Sequence, residues 1–256
     1  MPPLLRALHA ESLKLKRTLA LRLTVVAPFV ITGMVLLFSY KVIESGREIG
    51  GGGMNPWDAM AQQSLVLWAV LMMPLFITLE TALLAGLEHQ EKTWKLLYTQ
   101  PVPRWTIYAA KQLAGMTLVA ISMLALWALI LLDGIVLGKL LPNSGFDAPI
   151  PWLRLLQFCG LTYLSSWLLL SIHTWVALRW HSFVVAMSAG IAGTVAATLV
   201  MYSAEWNRFY PWTAPLMVAN GYGKGEVLTP VILFSVIGGV LFALLGAWEV
   251  GRREVG

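Results

Sequence analysis

The chain has 256 residues, 58% of them hydrophobic and only 12% charged, with a formal net charge of +5. Its mean hydropathy is +0.71, whereas ordinary soluble domains are about 45–50% apolar and about 25% charged. This balance excludes a water-soluble enzyme or binding domain, because a core of this size could not hide so much apolar surface. The bilayer is the natural solvent.

The one cysteine, Cys159, lies inside an apolar run, so an internal disulfide and a cysteine-based zinc site are both excluded. The basic residues are spread over several segments and read as topology signals rather than as a nucleic-acid surface.

In chain order, residues 1–18 read as an amphipathic helix. At 100° per residue Leu4, Leu5, Leu8, Leu15 and Leu19 share one face, while Arg6, Lys14 and Arg17 lie on the other. Such a helix is expected to lie along the inner membrane surface, its cations near anionic headgroups. The segment is charged and no small-residue cleavage site follows the next apolar run, so no cleavable signal is expected.

Six runs are long and apolar enough to cross a bilayer, which takes about 20 residues. They cover residues 19–40, 64–86, 105–137, 153–178, 182–202 and 231–250. The expected fold is therefore an all-α integral membrane protein, a single transmembrane domain over residues 1–256. The short stretch "RWHS" reads as a tight turn between the fourth and fifth runs. Of the 18 Lys and Arg residues, twelve fall on the N-terminal side of the bilayer and six on the other, Lys111 among the former and Arg154 among the latter. Both termini are therefore expected in the cytoplasm. Trp57, Trp152, Trp206 and Trp212 are expected as outer interfacial anchors, and Trp94, Trp105, Trp180 and Trp248 as inner ones.

"ESGREIGGGGMNPWD" reads as a flexible outer loop, because four consecutive glycines favour no fixed conformation. It is no phosphate cradle: no GK[ST] follows, and no Walker A pattern occurs in the chain. Residues 205–228 form a second outer segment, rich in Pro and aromatic residues.

Between the second and third runs lies "EHQEKTWKLLYTQPVPRW". Glu88 with Lys92 and Glu91 with Lys95 are i,i+4 pairs in the favourable order, worth about 0.2–0.5 kcal/mol each. Leu87, Trp94, Leu97 and Tyr98 share one helical face; Glu88, Lys92, Lys95 and Thr99 share the other. Pro101 disfavours helix at Gln100, and Pro103 suits the start of the next helix. A short cytoplasmic helix over about 88–99 is expected. It is either a lever that presses on a soluble partner or a solvated face that joins two spans.

Three stretches carry a family resemblance. "ESLKLKRT" followed by "LTVVAPF" resembles the N-terminal signature of membrane subunits of ABC-2-type transporters, the lantibiotic and bacitracin export or immunity branch in particular. "EHQEKTWKLLYTQPVPRWTIYAAKQ" is similar to that family's coupling segment, on Glu88, Glu91, Thr93, Trp94, Leu96, Leu97, Pro101, Arg104 and Lys111. "FYPWTAP" is similar to the outer segment before the last span.

The resemblance implies an ATP-driven permease in a bacterial cytoplasmic membrane, paired with a second permease, identical or different. Each permease docks on a separate ABC ATPase subunit, two copies in all, and those subunits carry ATP and Mg. Glu88 would face the ATPase cleft, with Glu91, Thr93, Trp94, Lys95, Leu97 and Arg104 in the contact. Trp94 and Leu97 would fill a groove there or pack on the N-terminal helix. Lys92 stands where the family pattern often has Gly. A hydrophobic or amphipathic cargo such as a peptide antibiotic, lipid or drug is implied, giving self-immunity or drug efflux.

Glu80 falls in the inner half of the second run, where a charge costs roughly 2.5–3.5 kcal/mol on insertion scales. With Thr81 it either lines a transport path or binds a proton, or else the span ends early and Glu80 reaches the interface; the last reading is preferred. Asp133 is expected at the outer interface, and His173 and His181 as structural or interfacial groups. His9 and His89 are expected in the cytoplasm, without a functional role. The small-residue rows Ala189/Gly193/Ala197, Gly190/Thr194/Thr198 and Gly239/Ala243/Ala247 are expected to pack within one bundle rather than between subunits.

Two further readings stay open. One is an intramembrane enzyme using Glu80, Asp133, His173 or Cys159; the other is a non-transporting immunity or receptor scaffold.

Overall fold

In a computed structural model, residues 2–16, 18–49, 54–90, 103–142, 144–180, 182–203 and 205–252 are described, side chains 87–90 excepted. Among them every regular element is helical. We number the helices α1 (Pro3–Leu15), α2 (Leu19–Glu44), α3 (Pro56–Leu67), α4 (Met73–Gln90), α5 (Arg104–Leu140), α6 (Trp152–Ser165), α7 (Trp167–Arg179), α8 (Phe183–Val200), α9 (Ala214–Lys224) and α10 (Thr229–Arg252).

Five continuous stretches are long and apolar enough to cross a membrane: α2, Pro56–Gly86, α5, α8 and α10. The sixth expected span is bent. Helices α6 and α7 meet at 42° and complete a sixth crossing when counted together. The bend sits at paired serines whose hydroxyls donate back to the preceding turn, Ser165 Oγ to the Thr162 carbonyl and Ser166 Oγ to that of Tyr163, both at 2.7 Å. Such back-bonding competes with the helical ladder and bends helices.

The second span starts earlier than its apolar run does. Asn55 accepts from the Trp57 N–H at 3.0 Å, Pro56 fills the first helical position and Asp58 lies in the first turn. These are ordinary helix-start devices. A π-helical turn, Trp68–Met72, then joins α3 to α4 just before Pro74. Pro74 cannot donate to the ladder, and a wider turn absorbs the lost bond.

This second span is the hub. Its apolar window is 61% buried, against 28% for α2, 17% for α8 and 28% for α10. The main core gathers Trp57, Leu65, Trp68, Met73 and Ile77 from it with Leu126 and Ile130 of α5 and Phe158 of α6. The outlying helices turn large apolar side chains outward, such as Phe29, Leu37, Val184, Leu199 and Leu241, as lipid solvent allows.

Small residues set the close approaches inside the bundle. A Cβ on Gly190 would fall 2.1 Å from Thr78 Oγ1, and one on Gly193 would fall 2.3 Å from the Trp212 ring. One on Gly239 would fall 2.8 Å from the Trp167 backbone. At these three positions the rows pack within the chain, as expected.

The tryptophans need correction. Trp152 and Trp206 are exposed, as are Trp105, Trp180 and Trp248, in keeping with anchors. Trp57 is 2% exposed and instead packs on Gly134, its indole N–H donating to the Phe146 carbonyl at 3.1 Å. Trp212 turns inward, stacked on Tyr210 and 5.4 Å from the His173 ring. Both are held because a neighbouring glycine leaves room for an indole.

Candidate functional site

The charged segment enters from α4 and leaves through α5. Helix α5 begins at Arg104, directly after Pro103, as the prolines predict. Glu91, Thr93, Trp94, Lys95 and Leu97, with Leu96 and Pro101, lie outside the described residues, as does the Glu88 side chain; so does His181. The described framework directly behind the segment is the site that can be built.

There a buried ionic knot joins three elements. Lys111 of α5 and Glu11 of α1 sit 3.3 Å apart with side chains 2% and 5% exposed. The same ammonium donates to the Leu84 carbonyl of α4 at 2.7 Å. Lys14, on the next turn of α1, closes on the second Glu11 oxygen at 3.0 Å. An ammonium has three donors to place, and this one is desolvated, so its contacts are held at one geometry. Around it Leu15, Ala20, Leu84, Ala114 and Leu118 pack together.

This corrects two expectations. Lys111 is not a solvated cation marking the inner surface, and the buried residue of α1 is Glu11, its leucines being half-buried or exposed. Leu5 and Leu13 of α1 stay exposed, so α1 is docked along one face and open along another.

Two more contacts hold this near end of the bundle. The Trp175 indole N–H donates to Glu249 Oε2, while Arg179 approaches Glu249 Oε1 at 3.5 Å, tying α7 to α10. Tyr108 of α5 fits against Gly246 of α10. Thus α1, the start of α5 and the ends of α4, α7 and α10 gather where the charged segment attaches.

Glu80 lies deeper. It is fully buried, and neither carboxyl oxygen has a hydrogen-bond partner among the described residues. Helix α4 runs on to Gln90, so the preferred reading that the span ends early at Glu80 does not hold. The Thr81 hydroxyl is spent locally, donating to the Ile77 carbonyl at 2.9 Å. His173 is 1% exposed and meets Thr78 Oγ1 through Nε2 at 3.4 Å, its Nδ1 having no partner among the described residues. Gln112, Ser171 and the Gly239 carbonyl form a polar chain from α5 through α7 to α10, each link 2.9 Å. Asp133 lies beside Gly134, which contacts Trp57, at the far end; it is 9% exposed, more enclosed than an interfacial group. Cys159 is buried.

A second cluster, at the far end, was not read from the sequence. Asp58 Oδ1 accepts from the Tyr222 hydroxyl at 2.7 Å and lies 3.4 Å from Arg154 Nη1. Arg154 Nη2 donates to the Tyr222 carbonyl, and its guanidinium covers the Tyr222 ring at 4.6 Å. Gln62 Oε1 accepts from the Gly223 N–H at 2.7 Å. Burial, then the hydrogen bond to Asp58, holds the Tyr222 phenol above its ordinary range, so it stays a donor. The signal that could have found Asp58 is the Asn-Pro-x-Asp helix start inside the presumed loop; nothing in the spacing pairs it with Arg154.

Comparison with known proteins adds one positive result. A family model described as ABC-2 family transporter protein matches residues 7–197. That interval holds most of α1, the charged segment, the buried knot and most of α8, and stops before α9. No curated protein matches the chain.

Proposed function

The chain belongs to the ABC-2 family of transporter proteins, and we propose that it is the export permease of a bacterial drug- or peptide-antibiotic transporter. As a family member it is a multi-pass membrane protein, the transport subunit of an ABC transporter, and it works with an ABC ATPase. The proposal adds the assembly, the contact and the cargo. Two permeases, identical or different, pair in the cytoplasmic membrane with both termini inside. Each docks on its own ATPase subunit, and the two ATPases bind ATP and Mg. Residues 88–99 form the coupling helix, with Glu88, Glu91, Thr93, Trp94, Lys95, Leu97 and Arg104 against the ATPase. Helix α1 lies on the inner membrane surface. The cargo is hydrophobic or amphipathic, in keeping with the lantibiotic and bacitracin branch, and Glu80 with Thr81 faces its path.

The observation that carries this reading is the knot of Glu11, Lys111 and the Leu84 carbonyl. Force applied to the tip reaches α4 and α5 first, and both are clamped to α1 by a desolvated charge pair. A joint that is costly to break moves as a unit, and closure of an ATPase pair would tilt the clamped helices together. Glu80, buried and with no hydrogen-bond partner among the described residues, marks where polar chemistry sits inside the bundle; such groups in membranes mark functional positions by default.

The test is co-expression with the neighbouring ATPase gene, followed by purification. A particle of two permeases and two ATPases is expected, its ATP turnover falling on Trp94→Ala or Glu88→Ala. Failure to co-purify with any ATPase, or full turnover in both variants, would overturn the coupling assignment.

A further inference from the structure

The cluster at the far end has no part in coupling, yet its construction is specific. It joins the first turn of α3, the first turn of α6 and the last turn of α9 through Asp58, Arg154 and Tyr222. One oxygen, Asp58 Oδ1, receives both the Tyr222 hydroxyl and the Arg154 guanidinium. Arg154 in turn reaches a carbonyl at the C-terminus of α9, where the helix dipole favours a cation. Loss of one member therefore loosens the other two.

Helix α9 is short and sharply bounded. It is 11 residues long, follows Pro211 and contains Pro215 at its start. It ends at Gly225, which takes the left-handed conformation at φ +69°. The Glu226 N–H returns to the Gly221 carbonyl at 2.9 Å and the Gly225 N–H to that of Tyr222 at 3.2 Å, the paired bonds of a Schellman stop. A Cβ on Gly225 would meet nothing within 4 Å, so the turn has space around it. The inner face of α9 closes on the main core: Leu216, Ala219 and Tyr222 join Met60, Phe158 and Cys159.

The two ends differ in strength. The Arg154 and Asp58 side chains are 39% and 21% exposed, against 2% and 5% for Lys111 and Glu11. Water that reaches an ion pair makes it weak and reversible, whereas a desolvated pair resists separation. Of the two ion pairs, the one at the far end is the easier to break.

We infer that Asp58, Arg154 and Tyr222 form a latch that holds α9 shut over the far end of the bundle and opens during the transport cycle. The chain supplies its own reporter. Cys159, the single thiol, is 2% exposed and lies beside Phe158, whose ring meets that of Tyr222 at 5.2 Å. Lifting α9 uncovers this region.

The experiment follows labelling of Cys159 in membrane vesicles by a membrane-impermeant maleimide applied to the far face. Arg154→Gln, Asp58→Asn and Tyr222→Phe are each expected to raise the labelling rate about fivefold, the scale of losing one half-exposed ion pair. Arg154→Lys, which keeps charge but not the fork, is expected between Gln and the native rate. Arg208→Gln, an exposed cation outside the cluster, is expected to leave the rate unchanged. Native rates in all three latch variants would overturn the latch, and so would equal acceleration in Arg208→Gln, which reports general loosening. If Arg154→Gln does not fold, Tyr222→Phe, which removes one oxygen atom, decides. In the permease–ATPase particle, trapping with ATP and vanadate is expected to accelerate labelling of the native chain. No acceleration there overturns the link to the cycle, while loss of the ATPase on purification refutes the coupling proposal and leaves the variant result standing.

Discussion

Replacement of Lys111 by methionine removes the centre of the near-end knot while keeping most of its volume. Glu11 then stays buried, 5% exposed, with Lys14 as its remaining cation at 3.0 Å, and the Leu84 carbonyl loses the ammonium at 2.7 Å. Breaking a buried pair from one side costs about 3–5 kcal/mol. Because Lys14 remains, the lower figure of about 3 kcal/mol applies, roughly a hundredfold in the equilibrium between docked and undocked α1. Mixed-micelle unfolding titrations measure the loss, and proteolysis at the N-terminus measures the undocking. The second variant separates charge from packing: Lys111→Met/Glu11→Leu removes both members of the Lys111–Glu11 pair, and replacing a whole buried pair by apolar groups is often neutral. Recovery to within about 1 kcal/mol of the native chain is expected. If the double variant is as unstable as the single one, or if Lys111→Met unfolds like the native protein, the knot does not hold these helices and the argument from it fails.

Gly190→Leu drives a side chain into Thr78, 2.1 Å from the Cβ position, and overpacking is expected to cost about 1–3 kcal/mol in the same titration. Gly33→Ala is its control: a Cβ there meets nothing within 4 Å, and helix-interior Gly to Ala is expected to gain about 0.5–1 kcal/mol. Gly225→Val forces a branched residue into φ +69° and is expected to lose about 1–2 kcal/mol, seen as a lower thermal midpoint. Glu249→Gln leaves Arg179 without its carboxylate and, with side chains 46% and 32% exposed, is expected to lose under about 1 kcal/mol; a larger loss would show that this joint bears more than its exposure implies.

The helical class and the membrane location were legible because they depend on quantities summed along the chain. Twenty apolar residues cost too much in water whatever they touch, and a backbone in lipid must satisfy its own hydrogen bonds. Hence five continuous apolar helices lie where apolar runs were read, and α5 begins directly after Pro103. The bend at Ser165 and Ser166 was missed because mean hydropathy does not register it. The early start at Pro56 was missed because its cap lay next to four glycines that spoke louder.

The side-chain groupings were not legible. Glu11 looked like one charge in an amphipathic helix, Lys111 like one of twelve inner cations and Arg154 like one of six outer ones. Glu11 and Lys111 lie 100 positions apart, and Asp58 and Tyr222 lie 164 apart. In a water-soluble helix the apolar stripe reveals which face turns inward; in lipid the protein-facing and lipid-facing sides are both apolar, so the period loses that information. Composition and run length by themselves determined that this chain is a bundle of membrane helices broken by one charged segment. Which charges are buried, which glycines receive a neighbour and which end of the bundle is firmly tied were decided only by tertiary packing, because a polar group's energy depends on the partner brought to it across space rather than on its place in the chain.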